Sequence, residues 1–306
     1  MPVLNVCLRK WGKIPWLFDD IASMMGEECL WPPGWEVRVT EDPLTRADRW
    51  LFIRTEEAAS SPDFTRTTVQ VHDLYNDDYG VCKKRFCVSA CNQVQTVHPY
   101  QREILEAVGV QPRRIRHTGP IGARESFTHC CTQRVSPFTI GWVGRPVTYR
   151  GVDVKRLGDV IEAVNKVERP CRFLTMGMGI TPYLERLGSH VTSDHYERAA
   201  TRPGFSIVSY PDRYRQMDVL VTFSRSEAGP MCLFEALACG VPVISSKTGH
   251  FWLADFLVDS VDDLASSLNS NWSEQTFEDK RCRASRMHRR TMERWVITSL
   301  DLAAGP

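Results

Sequence analysis

The chain has 306 residues, about twice the size of an ordinary single domain, which predicts two domains each able to bury its own core. Apolar residues make up 42% and charged residues 25%, a globular balance that excludes wholesale disorder. Thirty-eight basic against thirty-seven acidic side chains leave a formal net charge of +1, so bulk charge names no partner, although a local basic patch remains compatible with it.

In chain order, Val3 to Leu8 is a strand candidate, and Trp16 to Met25 carries Leu17, Ile21, Met24 and Met25 at helical spacing. Trp35 to Val39 and Trp50 to Arg54 read as further strands. Thr67 to Val71 is rich in β-branched residues and ends at His72-Asp73. Val94 to Val97 is a short strand, and Gln101 to Val108 a helix stopped by Gly109. From there to about Gln133 the chain is basic and punctuated by Gly and Pro, which places a domain boundary near residue 135. Phe138 to Val143 is a buried strand broken by Gly144, Val154 to Val167 an amphipathic helix, and Cys171 to Met176 a strand running into Gly177-Met178-Gly179. Phe205 to Ser209 reads as a strand, Tyr214 to Met217 as a short helix, and Val219 to Phe223 as a strand. Pro230 opens a helix that reaches Cys239, Gly240 ends it, and Val241 to Ser245 is the next strand. Alternating strands and helices predict an α/β protein with doubly wound parallel sheets in both halves.

The most apolar stretches, Val219 to Phe223 and Val241 to Ile244, fall far short of the ~20 residues that span a bilayer. Met1 to Lys10 has no basic start, long apolar run or small-residue cleavage site, so a cytoplasmic protein is expected. Eleven cysteines follow no framework rhythm, and Cys171, Cys232 and Cys239 sit inside apolar stretches, which suits buried thiols in a reducing compartment. Cys82, Cys87 and Cys91 with His98 lack the paired C-x2-C of a zinc knuckle, so no metal site is assigned.

The stretch from Asp218 to Ser245 carries the most chemistry. A strand, a polar glycine-containing loop and a helix start form a site at the carboxyl edge of a parallel sheet, where ligands of open α/β sheets bind. The free N–H groups expected at residues 231 to 233 favour a phosphate. Glu227 and Glu235 would repel a phosphate but accept hydrogen bonds from hydroxyls, which points to a sugar and a ribose.

The run Ser224-Arg-Ser-Glu-Ala-Gly-Pro-Met-Cys-Leu-Phe-Glu-Ala-Leu-Ala-Cys-Gly-Val-Pro-Val-Ile244 resembles the E-x7-E donor motif of glycosyltransferase family 4, retaining enzymes of the two-domain GT-B fold. The resemblance implies that Glu227 contacts the transferred sugar, Glu235 the ribose, and Gly229, Met231 and Cys232 offer backbone donors to the sugar and its phosphates. Gly144-Arg145-Pro-Val-Thr-Tyr-Arg150-Gly151 resembles the family's G-R-x4-K-G, in which two cations hold the diphosphate, here with Arg150 in place of lysine. Gly177, by the same resemblance, lies near the nucleotide base. Val69-Gln-Val-His72-Asp73-Leu74 resembles T-x-H-D-L, whose histidine lies near the reacting sugar; Trp11 and Asp73 join it as acceptor-side candidates. Thr118-Gly-Pro-Ile-Gly122 stands where the family has P-N-G, and Lys247-Thr248-Gly249-His250 where it often has a Gly-Gly turn. The glycine-rich loop that relatives often carry after the first strand is replaced by Arg9-Lys10-Trp11-Gly12-Lys13.

The implied architecture is an acceptor-side domain over 1–134, a donor domain over 135–279, and a helical segment over 280–306 returning toward the first domain. The implied co-substrate is a UDP-, GDP- or ADP-sugar, with no other cofactor. No D-x-D triplet occurs, so no divalent metal is required. Two basic stretches, Arg113, Arg114 and Arg116, and Lys280 to Arg294, read either as solvated faces or as contacts to a phosphate-rich acceptor, either hydroxylated-base DNA or an anionic glycan. The alternatives to a transferase are an inactive nucleotide-sugar sensor or scaffold and a nucleotide-sugar epimerase on the same fold.

Overall fold

The structure is a computed structural model, and it describes residues 1–7, 34–71, 82–117, 137–149, 151–197, 209–227 and 230–270. They divide between two compact units, the first holding the described residues up to 117 and the second those from 137 to 270. The expected boundary at 134/135 and the segment 280–306 lie outside the described residues, as does the helix expected over Trp16 to Met25.

The first unit is built on six parallel strands: β1 (Val3–Cys7), β2 (Glu36–Thr40), β3 (Arg49–Phe52), β4 (Thr67–Val71), β5 (Gln93–Thr96) and β6 (Ile115–His117). Their spatial order is β2-β1-β3-β4-β5-β6. Every residue of β4 is buried, as expected of a parallel strand covered on both faces. One face sets Cys7, Trp50, Phe52, Val69, Val71 and Val94 in a core with Cys87 and Val88 of α1 (Cys82–Ala90) and Leu105 of α2 (Gln101–Ala107).

The sequence pattern did not reveal α1, because its buried residues Cys87 and Val88, with Cys91 just beyond the helix, are too small to mark a helical stripe. Arg114 closes its C-terminal end: the guanidinium donates to the carbonyls of Ser89 at 2.8 Å and of Val88 and Asn92 at 3.3 Å. A cation on the last carbonyls of a helix also meets its negative dipole end. Arg114 is therefore a capping residue, whereas its neighbours Arg113 and Arg116 are exposed.

The second unit holds β7 (Phe138–Val143), β10 (Cys171–Gly177), β11 (Val191–Glu197), β12 (Val219–Thr222), β13 (Val243–Ser245) and β14 (Phe256–Leu257), all parallel, in the order β11-β10-β7-β12-β13-β14. A short antiparallel hairpin, β8 (Thr148–Tyr149) with β9 (Val152–Asp153), follows β7. Alternate strand residues feed two cores. Ile140, Phe173 and Val221 pack with Val160 and Ile161 of α3 (Leu157–Asn165) and Leu264 and Leu268 of α7 (Val261–Asn269). Leu174, Leu220 and Val243 pack with Leu233 and Leu237 of α6 (Met231–Ala238). Between α3 and α6 lie α4 (Thr181–Leu184) and α5 (Ser209–Tyr214).

Helices α3, α5 and α7 are among the elements that depart from the expected pattern. Helix α3 begins at Leu157 rather than Val154, because Arg156 adopts a left-handed conformation with φ 50°. Ser209 opens a helix that ends at Tyr214, where a strand end and a helix start were expected; 205–208 lie outside the described residues. Helix α7 was not anticipated although its start is legible: Ser260 accepts from the Asp263 N–H at 3.0 Å and Asp263 accepts from the Ser260 N–H at 3.1 Å, a capping box.

Candidate functional site

The strand order of the second unit reverses between β7 and β12, since β7 leads through α3 to β10 on one side and the chain later returns to place β12 on the other. Such a switch point leaves a crevice at the carboxyl ends of the two strands, the preferred ligand site of open α/β sheets. The residues that follow them are Gly144-Arg145 and the 223–227 loop, the two motifs singled out in the sequence.

After β7, the Gly144 N–H donates to the Met176 carbonyl at 2.9 Å. A Cβ on Gly177 would lie 1.7 Å from the Gly144 carbonyl oxygen, and Gly177 has φ +142°. The glycines of two separate motifs thus form one tight backbone crossing. Arg145 is exposed and makes no hydrogen bond or ion pair among the described residues, so its charge is available to a ligand.

After β12, the loop is tied down on several sides. The Ser224 carbonyl accepts from Ser246 Oγ at 2.6 Å, and the Arg225 N–H donates to the Val154 carbonyl at 2.8 Å. Glu227, with its side chain 14% exposed, forms an ion pair through Oε1 with Lys155 Nζ, and Ser224 Oγ donates to the same oxygen at 3.0 Å. Gly249 (φ +60°) backs this loop: a Cβ there would lie 2.8 Å from Pro230 Cδ and 3.1 Å from Glu227 Cβ. Where the resemblance anticipates a Gly-Gly turn, a single glycine supplies both the positive φ and the close approach.

Pro230 precedes α6, and no side chain caps the helix start. The Leu233 N–H, expected to be free, donates to the Pro230 carbonyl at 3.0 Å. This shortens the proposed anion cradle to the first two residues, Met231 and Cys232, both half-buried. One turn on, Glu235 Oε2 accepts from Tyr214 Oη at 2.5 Å. Burial, reinforced by the Glu235 charge, pushes the Tyr214 hydroxyl well above its ordinary pKa, so it stays protonated and acts as the donor. Burial pushes the Cys232 thiol up to about 12, with the Lys155 charge opposing and those of Glu227 and Glu235 adding. His250 is buried beside the rings of Phe234 and Trp252, at 5.2 and 4.9 Å.

The structure thus brings Gly144 and Gly177 together, and gathers Glu227, Cys232 and Glu235. Trp11, His72, Asp73, Arg150 and Gly229 lie outside the described residues. Lys155, Tyr214 and the supporting role of Ser224 were not anticipated. Among the described residues no helix is long and apolar enough to cross a membrane.

Comparison with known proteins bears on the fold. Residues 137–273 match the family model described as "Glycosyl transferases group 1". The fold is similar to that of HepE from Anabaena, solved in complex with UDP and glucose, at 12% identity and a TM-score of 0.65, covering 99% of this chain and 98% of that one. WaaG, a glycosyltransferase involved in lipopolysaccharide biosynthesis, is similar at 12% identity and a TM-score of 0.66, covering 99% and 100%. Sucrose-phosphate synthase from Thermosynechococcus elongatus gives 14% identity and a TM-score of 0.63, covering 99% and 97%. A comparison with curated proteins finds no match. The chain has the two-domain, Rossmann-like GT-B fold, and within its second unit residues 137–270 fall in the stretch that matches the group 1 glycosyl transferase model.

Proposed function

We propose that the chain is a retaining glycosyltransferase that moves a sugar from a nucleotide-sugar donor to a hydroxyl acceptor. The observation that carries this reading is the pair Glu227 and Glu235, each held by its own partner, on the loop and helix that follow the switch-point strand β12. In this reading Glu227 accepts hydrogen bonds from the donor sugar and Glu235 from the ribose. Arg145, with Arg150, and the N–H groups of Met231 and Cys232 stabilise the diphosphate as negative charge grows on it. The bond from the anomeric carbon to the diphosphate breaks with its electron pair going to the leaving oxygen. The acceptor oxygen attacks on the same face, and its proton passes to the leaving phosphate, which retains configuration. His72 is assigned to the acceptor side, with Trp11 and Asp73. Arg145 and Arg150 take the role a divalent ion would have, so activity is expected to survive EDTA.

The HepE complexes, which hold UDP and glucose, support UDP-glucose as the first donor to try. WaaG's part in lipopolysaccharide biosynthesis supports a glycan acceptor. The DNA reading is weakened because Arg114 is engaged with helix carbonyls rather than presented to a ligand.

The test is transfer of labelled sugar from each donor to glycan acceptors and to hydroxymethylated DNA, with the product anomer read by NMR. A product with the donor's anomeric configuration, lost in Glu227→Ala, supports the proposal. An inverted product overturns retention, a product on DNA alone moves the acceptor to nucleic acid, and sugar isomerisation without acceptor identifies an epimerase.

A further inference from the structure

The residue bonded to Glu227 is not part of any motif that pointed to the site. Lys155 lies on the three-residue link between β9 and α3, and the next residue, Arg156, is the single non-glycine at positive φ among the described residues, at 50°. A left-handed arginine is strained and persists where its surroundings over-determine it. They do so here. The Arg156 N–H donates to Asp153 Oδ1 at 2.9 Å, Nε donates to Asp159 Oδ2 at 2.6 Å, and the guanidinium lies 3.8 Å over the Phe223 ring. On the other side of Lys155, the Val154 carbonyl accepts the Arg225 N–H at 2.8 Å. The link is therefore fastened to the 223–227 loop immediately before and immediately after Lys155.

The result is an ammonium on a half-buried carboxylate, with side chains 24% and 14% exposed. A carboxylate this far from water needs a partner, and a partner fixed by backbone contacts also fixes its orientation. The ammonium and the Ser224 hydroxyl both take Oε1. Oε2 carries no hydrogen bond among the described residues and keeps its full capacity to accept.

We propose that Lys155 is a positioning residue: by engaging Oε1 of Glu227 it presents Oε2 to the hydroxyls of the donor sugar, and so sets affinity for the sugar rather than for the nucleotide. This rests on the transferase reading above. It differs from a cation placed for the diphosphate, because a lysine that acts through Glu227 has no effect once Glu227 cannot be oriented.

The test is calorimetric binding of UDP-glucose, or of whichever UDP-, GDP- or ADP-sugar the wild type binds, and of the matching nucleoside diphosphate. The proteins are wild type, Lys155→Met, Lys155→Arg, Glu227→Gln and the Lys155→Met/Glu227→Gln double variant. Lys155→Met is expected to weaken the nucleotide sugar about tenfold and the diphosphate by less than about twofold, with most of the loss restored in Lys155→Arg and little further loss when added to Glu227→Gln. Equal weakening of sugar and diphosphate, an equal loss in both backgrounds, or no loss at all overturns the assignment of Lys155. If Lys155→Met does not fold, Lys155→Gln takes its place in the cycle. Wild type that binds none of these donors overturns the transferase reading itself, whereas binding without coupling overturns only the role of Lys155.

Discussion

Glu227 and Glu235 reach the site by different routes, and their partners differ in kind. Glu227 is balanced by a charge and Glu235 by a buried neutral donor, so only the second loses a hydrogen bond when Tyr214 loses its hydroxyl. Tyr214→Phe is expected to raise KM for the nucleotide sugar and Kd for the nucleotide several-fold, and to lower stability by about 1.5–3 kcal/mol, the usual range for a hydrogen bond to a charged group. Nucleotide affinity and Tm measured on the same preparation check this; unchanged affinity would remove Glu235 from the ribose site. The two glutamates were legible because they sit on one contiguous strand–loop–helix unit, where E-x7-E is a local spacing. Tyr214 and Lys155 were not, because they come from 21 and 72 residues away and no local pattern announces a contact made by the fold.

At the scale of elements, the crossing of the turns after β7 and β10 is the tightest point of the site. Gly177→Ala places a methyl group against a backbone oxygen that cannot rotate away, and does so at a positive φ. The substitution is expected to destabilise the protein by more than about 2 kcal/mol and to weaken donor binding by spreading the two turns. A thermal melt matching wild type would mean that the turns are not packed as described. Buried strands were the easiest elements to read: β4 and β7 are mostly apolar or β-branched, interrupted only by Gln70 and Gly141, and have the limits expected of them. Strand β11 was missed because Val-Thr-Ser-Asp-His-Tyr-Glu is polar and, at the edge of the sheet, largely uncovered. The β8–β9 hairpin, two residues per strand, is too short to show any period.

For the molecule as a whole, the alternation of strands and helices announced two parallel sheets, and the motifs between residues 138 and 250 announced the second of the two Rossmann-like halves of a GT-B fold. The first unit carries fewer such signals, so its function rests on the reading of the second. Buried thiols give the fold a pH limit. Burial pushes Cys7, Cys91 and Cys239 up to about 12, against about 8.5 for a thiol in the unfolded chain. Because the folded values are the higher ones, stability is intact below about pH 8.5 and falls as unfolded thiols ionise, through the window up to about 12, by about 1.4 kcal/mol per pH unit for each such thiol. Tyr214, raised in the same direction, adds to the loss above about pH 10. Urea midpoints under reducing conditions are expected to fall between pH 8 and 11; a flat profile would mean that these thiols are not buried.

The most direct measurement is release of nucleoside diphosphate from UDP-, GDP- and ADP-sugars, with glycan acceptors and with hydroxymethylated DNA, in wild type and Glu227→Ala. Release from one donor that falls at least about a hundredfold in the variant is the predicted result. Tight binding of a donor with no release under any condition, or equal release by both proteins, would contradict it, the first by making the chain a nucleotide-sugar sensor and the second by placing the chemistry away from Glu227.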